Sequence, residues 1–202
     1  MSVYSVRPEL IPLAKKIVIA LSKESALDEK KVKLVRNELT KVNGGVLPKN
    51  LELIQAYQQL TLDGVIEKNP QLLSVIQKRK VRTLSGIANI TVLTKDLGCP
   101  GQCIFCPTEK GMPKSYLSNE PAMMRAVRNE FNSYKQVKAR LNGLKAQGHD
   151  ITKIDVRTAG GTWGAIPEWY RQRFLKGIFW RSMKARVNLI WMITNCELKI
   201  TN

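Results

Sequence analysis

The chain has 202 residues, enough for one or two domains with a sizeable core. It carries 33 Lys and Arg against 16 Asp and Glu, a net charge of +17, which favours a polyanionic partner such as nucleic acid. The sequence has no run of about 18 apolar residues and no secretion signal at its start. We therefore expect no membrane span and a reducing, cytoplasmic setting.

The first 77 residues predict a small helical domain. Apolar residues recur at spacings of three and four in residues 8–25 and 28–42, and again in a stretch opened by Pro48. A last turn or two of helix is expected within residues 71–77. This part holds 11 basic and 8 acidic residues and no cluster of reactive side chains, so we assign it no catalytic chemistry.

After a basic connector at residues 78–82, the pattern changes to strands that alternate with helices. Three β-branched, apolar segments predict strands: residues 87–93, 151–158 and 187–194. Between the first two we expect one long helix from about residue 120 to 147, with Asn119 as its N-cap. A second helix is expected from residue 167 to about 178. Residues 78–202 carry 22 basic and 8 acidic side chains, so most of the net charge lies here.

This alternation predicts an α/β fold built from right-handed βαβ units with a parallel sheet. Active sites of parallel barrels lie at the carboxyl ends of the strands. A cysteine-rich loop follows the first predicted strand and Gly160-Gly161-Thr162 follows the second, so we expect these two loops side by side. A full barrel takes about 200–250 residues. The residues after the connector therefore suffice for only the first two to three βα units of a partial TIM-like barrel.

Three cysteines within eight residues form the most distinctive motif. They are Cys99, Cys103 and Cys106, with the aromatic Phe105 just before the third. Iron–sulfur clusters of the 4Fe-4S type normally take four cysteines, so three would leave one iron open, as in catalytic metal sites. A structural zinc site needs four ligands, and only the distant Cys196 and the lone His149 remain. Zinc is the alternative metal. We expect Cys196 to be a small buried residue and His149 to be a surface or capping residue.

The cysteine triplet resembles that of the radical S-adenosylmethionine (SAM) superfamily, and Gly160-Gly161-Thr162 looks like its glycine motif after the second strand. A narrower resemblance lies in residues 80–88, 113–116 and 120–126, within a similarity that runs from about residue 8 to 177. These segments are similar to the catalytic subunit of the Elongator complex and its single-chain microbial relatives. The resemblance implies a transferase that carboxymethylates carbon 5 of the wobble uridine in tRNA. A 4Fe-4S cluster, SAM and acetyl-CoA are the implied cofactors.

The resemblance also implies roles for particular residues. Cys99, Cys103 and Cys106 would ligate the cluster, Phe105 would pack beside it, and Gly160, Gly161 and Thr162 would hold the methionine end of SAM. Candidates for phosphate contact with tRNA are Lys78, Arg79, Lys80, Arg82, Lys110 and Lys114. Lys114, Tyr116, Glu120 and Arg125 match the family pattern near the pocket, although Glu120 could simply begin a helix and Arg125 could be solvated. No catalytic side chain is assigned.

Residues 1–77 would then be a helical domain associated with tRNA binding, and residues 78–202 an incomplete radical SAM domain. We expect the chain to be an N-terminal portion of such an enzyme, without the acetyl-CoA domain and inactive in tRNA modification on its own. A second chain that completes the barrel is a further candidate partner. Two alternatives stay open: a nucleic-acid-binding module with a structural or redox metal, and an inactive remnant.

Overall fold

A computed structural model describes residues 6–77, 80–185 and 188–193 of the chain. The chain divides into two compact units. The first comprises residues 1–84 together with 143–149, and the second comprises residues 85–142 and 150–202. Within the described ranges, no helix is both long and apolar enough to cross a membrane.

The described part of the first unit is helical. Its α-helices are α1 (Ile11–Ser22), α2 (Glu29–Val42), α3 (Asn50–Leu62) and α4 (Pro70–Ile76), and a 3₁₀ turn at Pro8–Leu10 precedes α1. The helices expected in residues 8–25, 28–42 and 71–77, and the one opened by Pro48, are confirmed. The spacing of apolar residues was a sufficient signal because these helices all bury one stripe in a common core.

Local side-chain contacts fix where two of these helices begin. The Asp28 carboxylate accepts a hydrogen bond from the Lys31 backbone N–H at 2.6 Å, at the start of α2. The Asn69 side chain does the same for the N–H of Leu72 at 3.0 Å, at the start of α4. Each cap satisfies an N–H group that has no partner within its own helix, and thereby stabilises the helix start.

A partly buried ion pair ties the segment before α1 to α3. Glu52 has no solvent exposure, and its carboxylate accepts hydrogen bonds from Arg7 Nε at 2.7 Å and Arg7 Nη2 at 2.8 Å. The backbone N–H groups of Arg7 and Lys49 donate to the same carboxylate. Burial alone would raise the pKa of Glu52, but these four hydrogen bonds and the charge of Arg7 outweigh it, so the pKa is lowered.

His149 is a buried member of the first unit, so its assignment as a surface residue was wrong, while the capping role is confirmed because its backbone N–H donates to the carbonyl of Leu144 at 3.0 Å. Its side chain is only 5% exposed, and Nδ1 lies 3.0 Å from both Gln77 Nε2 and Thr83 Oγ1. The preceding Gly148 adopts a φ of +76° and packs so closely that an added Cβ would lie 3.2 Å from Ile54. This turn directs His149 inward. Cys196 lies outside the described residues.

The second unit contains a parallel three-stranded sheet in the order β1-β2-β3. The strands are β1 (Ala88–Leu93), β2 (Lys153–Ala159) and β3 (Asn188–Ile193), and all three predicted strands are confirmed. In the register, Leu93 lies opposite Ala159, and Lys153 lies opposite Asn188. The helices between the strands are α5 (Pro121–Arg128), α6 (Ser133–Ala146) and α7 (Glu168–Ala185). The α/β class is therefore confirmed, while the radical SAM barrel stays a prediction.

The single long helix expected from 120 to 147 is wrong, because the chain breaks between α5 and α6. At the end of α5, the N–H of Phe131 bonds to the carbonyl of Ala126, and the N–H of Glu130 bonds to that of Val127. These are the two bonds of a Schellman motif. Glu130 and Phe131 have φ values of +55° and +53°, and neither is a glycine that would have signalled the break.

The cap assignments at these helices also change. Asn119 is not the N-cap; α5 follows Glu120, with Pro121 at its first position. Asn132 caps α6, where its side chain accepts the N–H of Lys135 at 3.0 Å. The apolar period runs across residues 129–132 without interruption, and it therefore concealed the start of a second helix.

Helix α7 continues to Ala185, seven residues beyond the expected end at 178. Its buried face steps by four through Tyr170, Phe174, Ile178 and Ser182. Because the last of these is polar, the apolar pattern stops at Ile178 although the helix does not. Ser182 Oγ donates to the carbonyl of Ile178 at 2.9 Å, which satisfies the buried hydroxyl.

The Glu52 ion pair predicts how acid affects stability. We expect Glu52→Gln to lower the free energy of unfolding by about 2 kcal/mol at pH 7, because the charged hydrogen bonds from Arg7 are lost. A carboxylate with a lowered folded-state pKa stabilises the fold above the ordinary Glu pKa of about 4.3, and this contribution disappears as the pH falls through the folded-state value. Urea unfolding at several pH values measures the difference between the two proteins, which should shrink below about pH 4.

The matched control is Glu38→Gln, which removes an exposed carboxylate from the same unit. It should change the free energy of unfolding by less than about 0.5 kcal/mol. Equal effects of the two substitutions at pH 7 would contradict the role assigned to the ion pair.

Candidate metal and cofactor site

The ends of β1 and β2 are held in register by contacts beyond the strands themselves. The N–H of Thr94 donates to the carbonyl of Ala159 at 3.0 Å, so the pairing continues one residue past β1. The buried Gln136 side chain of α6 binds both backbone groups of Leu93, at 3.0 Å to its N–H and 2.9 Å to its carbonyl. The loops that follow the two strands therefore leave from fixed positions.

The structure brings the cysteine loop and the Gly-Gly-Thr loop together. Cys99 Sγ lies 3.2 Å from Thr162 Oγ1, within hydrogen-bond distance for sulfur. The Thr162 hydroxyl is the main cause of a lowered pKa at the Cys99 thiol, followed by the N–H groups of Thr162 and Gly101. Burial opposes this shift, and the positive charge of Lys114 adds to it. The contact thus favours the thiolate, which is the form that binds metals.

The three thiols are available as metal ligands. Cys99, Cys103 and Cys106 are all free; Cys103 is exposed and the other two are half-buried. A Cβ added at Gly101 would lie 3.6 Å from the sulfurs of both Cys99 and Cys103, so these two sulfurs flank the same point. Cys106 follows in a tight turn, where its N–H donates to the carbonyl of Cys103 at 3.1 Å.

The chemistry of the loop fits a metal centre. Three free thiols lie on one loop, and thiolates are ligands of both iron–sulfur clusters and zinc. Across the described ranges, no group of three His, Cys, Asp or Glu side chains is arranged to hold a metal ion, and the assignment of the loop to an iron–sulfur cluster stays a prediction.

Close packing between the two loops explains Gly160 but not Gly161. Gly160 has a φ of +154°, and a Cβ there would collide with the Thr94 hydroxyl and lie 3.3 Å from Thr94 Cβ. A Cβ at Gly161 would lie 3.5 Å from Cys99 Cβ and from the carbonyl of Gly98. Gly160 is thus required by the fold, whereas Gly161 has room for a methyl group. The contact of either glycine with SAM stays a prediction.

Apolar side chains are exposed at the tip of the cysteine loop. Ile104 is 88% exposed and Phe105 is 89% exposed, although both are large and apolar. At this exposure, most of the Phe105 ring is available to pack beside a bound group. Its predicted position beside the metal is untested.

The segment that returns from the cysteines to α5 is folded on itself. Lys114 Nζ donates to Thr108 Oγ1 at 2.8 Å, and the N–H of Ser118 donates to the Glu109 carboxylate at 2.8 Å. Ser115 takes a φ of +78° and bonds through its N–H to the carbonyl of Pro107. Lys114 is thereby placed close enough to Cys99 to act on it electrostatically.

The other residues of the family pattern make structural contacts. Glu120 begins α5 and accepts the N–H of Leu117 at 3.1 Å, as the simpler interpretation expected. Tyr116 packs against the buried cluster of Leu93 and Met123, and burial raises its pKa, with a smaller contribution from the charge of Glu120. Arg125 Nη2 lies 3.4 Å from the carbonyl of Thr91, so this side chain is not simply solvated.

The predicted phosphate-binding residues are spread over both units. Lys110 is exposed and Lys114 half-buried in the second unit, while Arg82 is half-buried in the first. Lys80 begins a short 3₁₀ turn, of which only the backbone is described at this position. Lys78 and Arg79 lie outside the described residues.

Sequence reasoning missed a groove beside the carboxyl end of the sheet, where the cysteine and glycine loops also begin. It has a volume of about 450 Å³ and lies between the starts of α6 and α7. Lys95, two residues past β1, holds its ammonium group 5.7 Å from the ring centre of Trp169 and 5.5 Å from that of Tyr170. Adjacent aromatic residues at 169–170 were the available signal, but nothing in the sequence connects them with Lys95.

Much of this sequence is shared with known proteins. No family model matches the chain. The tRNA uridine(34) acetyltransferase of Methanocaldococcus jannaschii is 33% identical over 172 residues, which cover 81% of this chain and 30% of that protein. The protein of the same name from Dehalococcoides mccartyi is 39% identical over 102 residues, covering 50% of this chain and 22% of that protein.

Elongator complex protein 3 of Saccharomyces cerevisiae is 33% identical over 150 residues, covering 65% of this chain and 26% of that protein. The chain thus spans less than a third of the length of each of these relatives. Because the similarity covers most of the chain and includes relatives of both names, the chain belongs to the family of the Elongator catalytic subunit and the tRNA uridine(34) acetyltransferases.

Proposed function

We propose that this chain forms the cluster-binding and SAM-binding part of a radical SAM enzyme that modifies uridine 34 of tRNA. The observation that carries the proposal is the 3.2 Å contact between Cys99 and Thr162. It joins the loop that bears the three thiols to the loop that bears the glycines. The names of the relatives, which are tRNA uridine(34) acetyltransferases, support tRNA as the substrate.

The cysteine loop would hold a 4Fe-4S cluster through Cys99, Cys103 and Cys106. Such a cluster supplies one-electron chemistry when bound. When Cys99 is deprotonated, the Thr162 hydroxyl donates to its sulfur and thereby favours that form, and Lys114 adds a positive charge nearby. Three ligands leave room for a fourth from SAM, whose methionine end would lie along the backbone of Gly161.

The finer chemistry is part of the same proposal. The resemblance implies carboxymethylation at carbon 5 of uridine with acetyl-CoA as the second substrate, which agrees with the word acetyltransferase in the names of the relatives. Since the chain spans less than a third of the length of these relatives, we propose that this part binds the cluster and SAM but does not modify tRNA when isolated, and that a second chain could complete the barrel.

The charge distribution supports an RNA substrate. Residues 78–202 carry 22 basic and 8 acidic side chains, and Lys110 and Lys114 lie in the loop that follows the cysteines. Free thiols on an exposed loop also agree with a reducing compartment, and we propose a cytoplasmic location on this basis.

Iron binding by the cysteine loop tests the proposal directly. We expect the purified chain, reconstituted anaerobically with ferrous iron and sulfide, to take up about four irons per chain and to become coloured. We expect each of three substitutions to abolish most of this uptake, because the two thiolates that remain would not hold the cluster. They are Cys99→Ser, Cys103→Ser and Cys106→Ser. Iron and sulfide analysis together with electron spin resonance measures the outcome.

Cys196→Ser is the matched control, since it removes a cysteine far from the loop in sequence, and it should leave iron uptake unchanged. A colourless chain that retains zinc and still binds tRNA would instead favour a nucleic-acid-binding module with a structural metal.

Substitution of the two glycines distinguishes a role in folding from a role in binding SAM. We expect Gly160→Ala to lower the free energy of unfolding by about 1–3 kcal/mol, because it forces an unfavourable φ and displaces Thr94. Gly161→Ala has room for its methyl group and should leave stability and iron uptake unchanged. If the Gly161 backbone approaches SAM closely, this variant should bind SAM several-fold more weakly in equilibrium dialysis. Unchanged SAM affinity would remove Gly161 from the binding site.

A further inference from the structure

We propose that the groove between the starts of α6 and α7 binds one unpaired nucleotide of a single-stranded RNA, with the base stacked on Trp169. The inference rests on the proposed function for the identity of the polyanion. It goes beyond that function because it assigns a stacking site that the cysteine and glycine motifs do not contain.

The groove combines an aromatic platform with two cationic side chains. Trp169 is 58% exposed although it is the largest apolar residue type, and its ring meets that of Tyr170 edge-on at 5.7 Å. Lys95 lies over both rings, and Arg173 stands one turn after Trp169 on the same face of α7. A base can stack on an exposed indole, while the adjacent cations contact its phosphate.

The net charge of the groove favours an anion. Within the described part of the chain, neither Lys95 nor Arg173 forms an ion pair. The one carboxylate that lines the groove, that of Glu130, is paired with Lys135 at 2.6 Å. The first turn of α6 also lines the groove and adds the positive end of its helix dipole.

The groove is held in a defined shape. The Tyr170 hydroxyl accepts the backbone N–H of Lys95 at 3.1 Å, which fixes the residue after β1 against α7. On the opposite side, Ser133 Oγ donates to the carbonyl of Phe174 at 2.7 Å, and this bond joins the start of α6 to α7. A volume of about 450 Å³ lies within the range of pockets that enclose a small ligand, which suits one nucleotide rather than a duplex.

The position of the groove connects it with the cysteine loop. Lys95 precedes Cys99 by only four residues, and both follow β1 at the carboxyl end of the sheet. An RNA strand held on Trp169 would therefore pass close to the proposed cluster site. An acidic peptide would satisfy the two cations, but it would make no use of the exposed indole face, so we favour RNA.

A pair of tryptophans on one helix provides the test. Trp180 is 54% exposed on α7 and carries Lys184 at 5.3 Å from its ring, but it does not line the groove. We expect Trp169→Ala to weaken binding of a short oligouridine to the full chain by at least about fivefold at fixed salt. Trp180→Ala should leave the affinity unchanged, and Trp169→Tyr should retain most of it because stacking survives. Fluorescence anisotropy of a labelled oligouridine measures all three.

The probes and a second readout decide the interpretation. Duplex RNA of equal length should bind with an affinity that does not depend on Trp169. Equal losses in both alanine variants, or displacement of the oligouridine by a polyglutamate peptide at equal charge concentration, would overturn the inference. Iron uptake reports on the proposed function separately. If the chain takes up iron but its RNA binding does not depend on Trp169, only the inference about the groove is wrong. If RNA binding depends on Trp169 but no iron is taken up, only the proposed cluster is wrong.

Discussion

Because β1 and β2 run in the same direction, with Leu93 opposite Ala159, both strands end at the same edge of the sheet. The cysteine loop follows the end of β1 and the glycine loop follows the end of β2. Residues 63 positions apart in sequence can therefore meet, as Cys99 and Thr162 do. Gln136 and the pairing of Thr94 keep these two ends from separating. The thiols and the groove beside Lys95 all depend on this arrangement, since each follows β1 or β2 directly.

The glycine motif serves the fold as well as any ligand. Gly161 lies beside Cys99 but has room for a methyl group. Gly160 allows the backbone to pass Thr94, so the two loops approach more closely than a larger residue at this position would permit. This approach is what lets the Thr162 hydroxyl reach the Cys99 sulfur and lower the pKa of the thiol. In this chain Gly160 of the Gly-Gly-Thr motif is thus required for the packing of the two loops, whether or not the motif binds a ligand.

The regular elements could be predicted from the sequence because the helices follow an apolar period of about 3.6 residues and the strands are β-branched, apolar segments. The failures lie where a different interaction decides the structure. Glu130 and Phe131 end α5 in a left-handed conformation without a glycine, and Ser182 continues a buried face with a polar side chain. His149 is turned inward by contacts with residues more than 60 positions away. The cysteine loop could be found from spacing alone, whereas the groove could not, because it brings together Lys95 from the loop after β1 and Trp169 from α7.

In the part of the chain that the structure describes, side chains, not another strand, form hydrogen bonds with the backbone along the free edge of β1. Both backbone groups of Leu93 bind Gln136 rather than another strand, and the guanidinium of Arg125 takes the carbonyl of Thr91. Among the described strands β1 has no neighbour on that side, and an open strand edge is a template for self-assembly. The Gln136 and Arg125 side chains thus occupy the backbone groups with which a strand of a second molecule would pair. They protect the half of β1 nearest the cysteines against strand addition and aggregation.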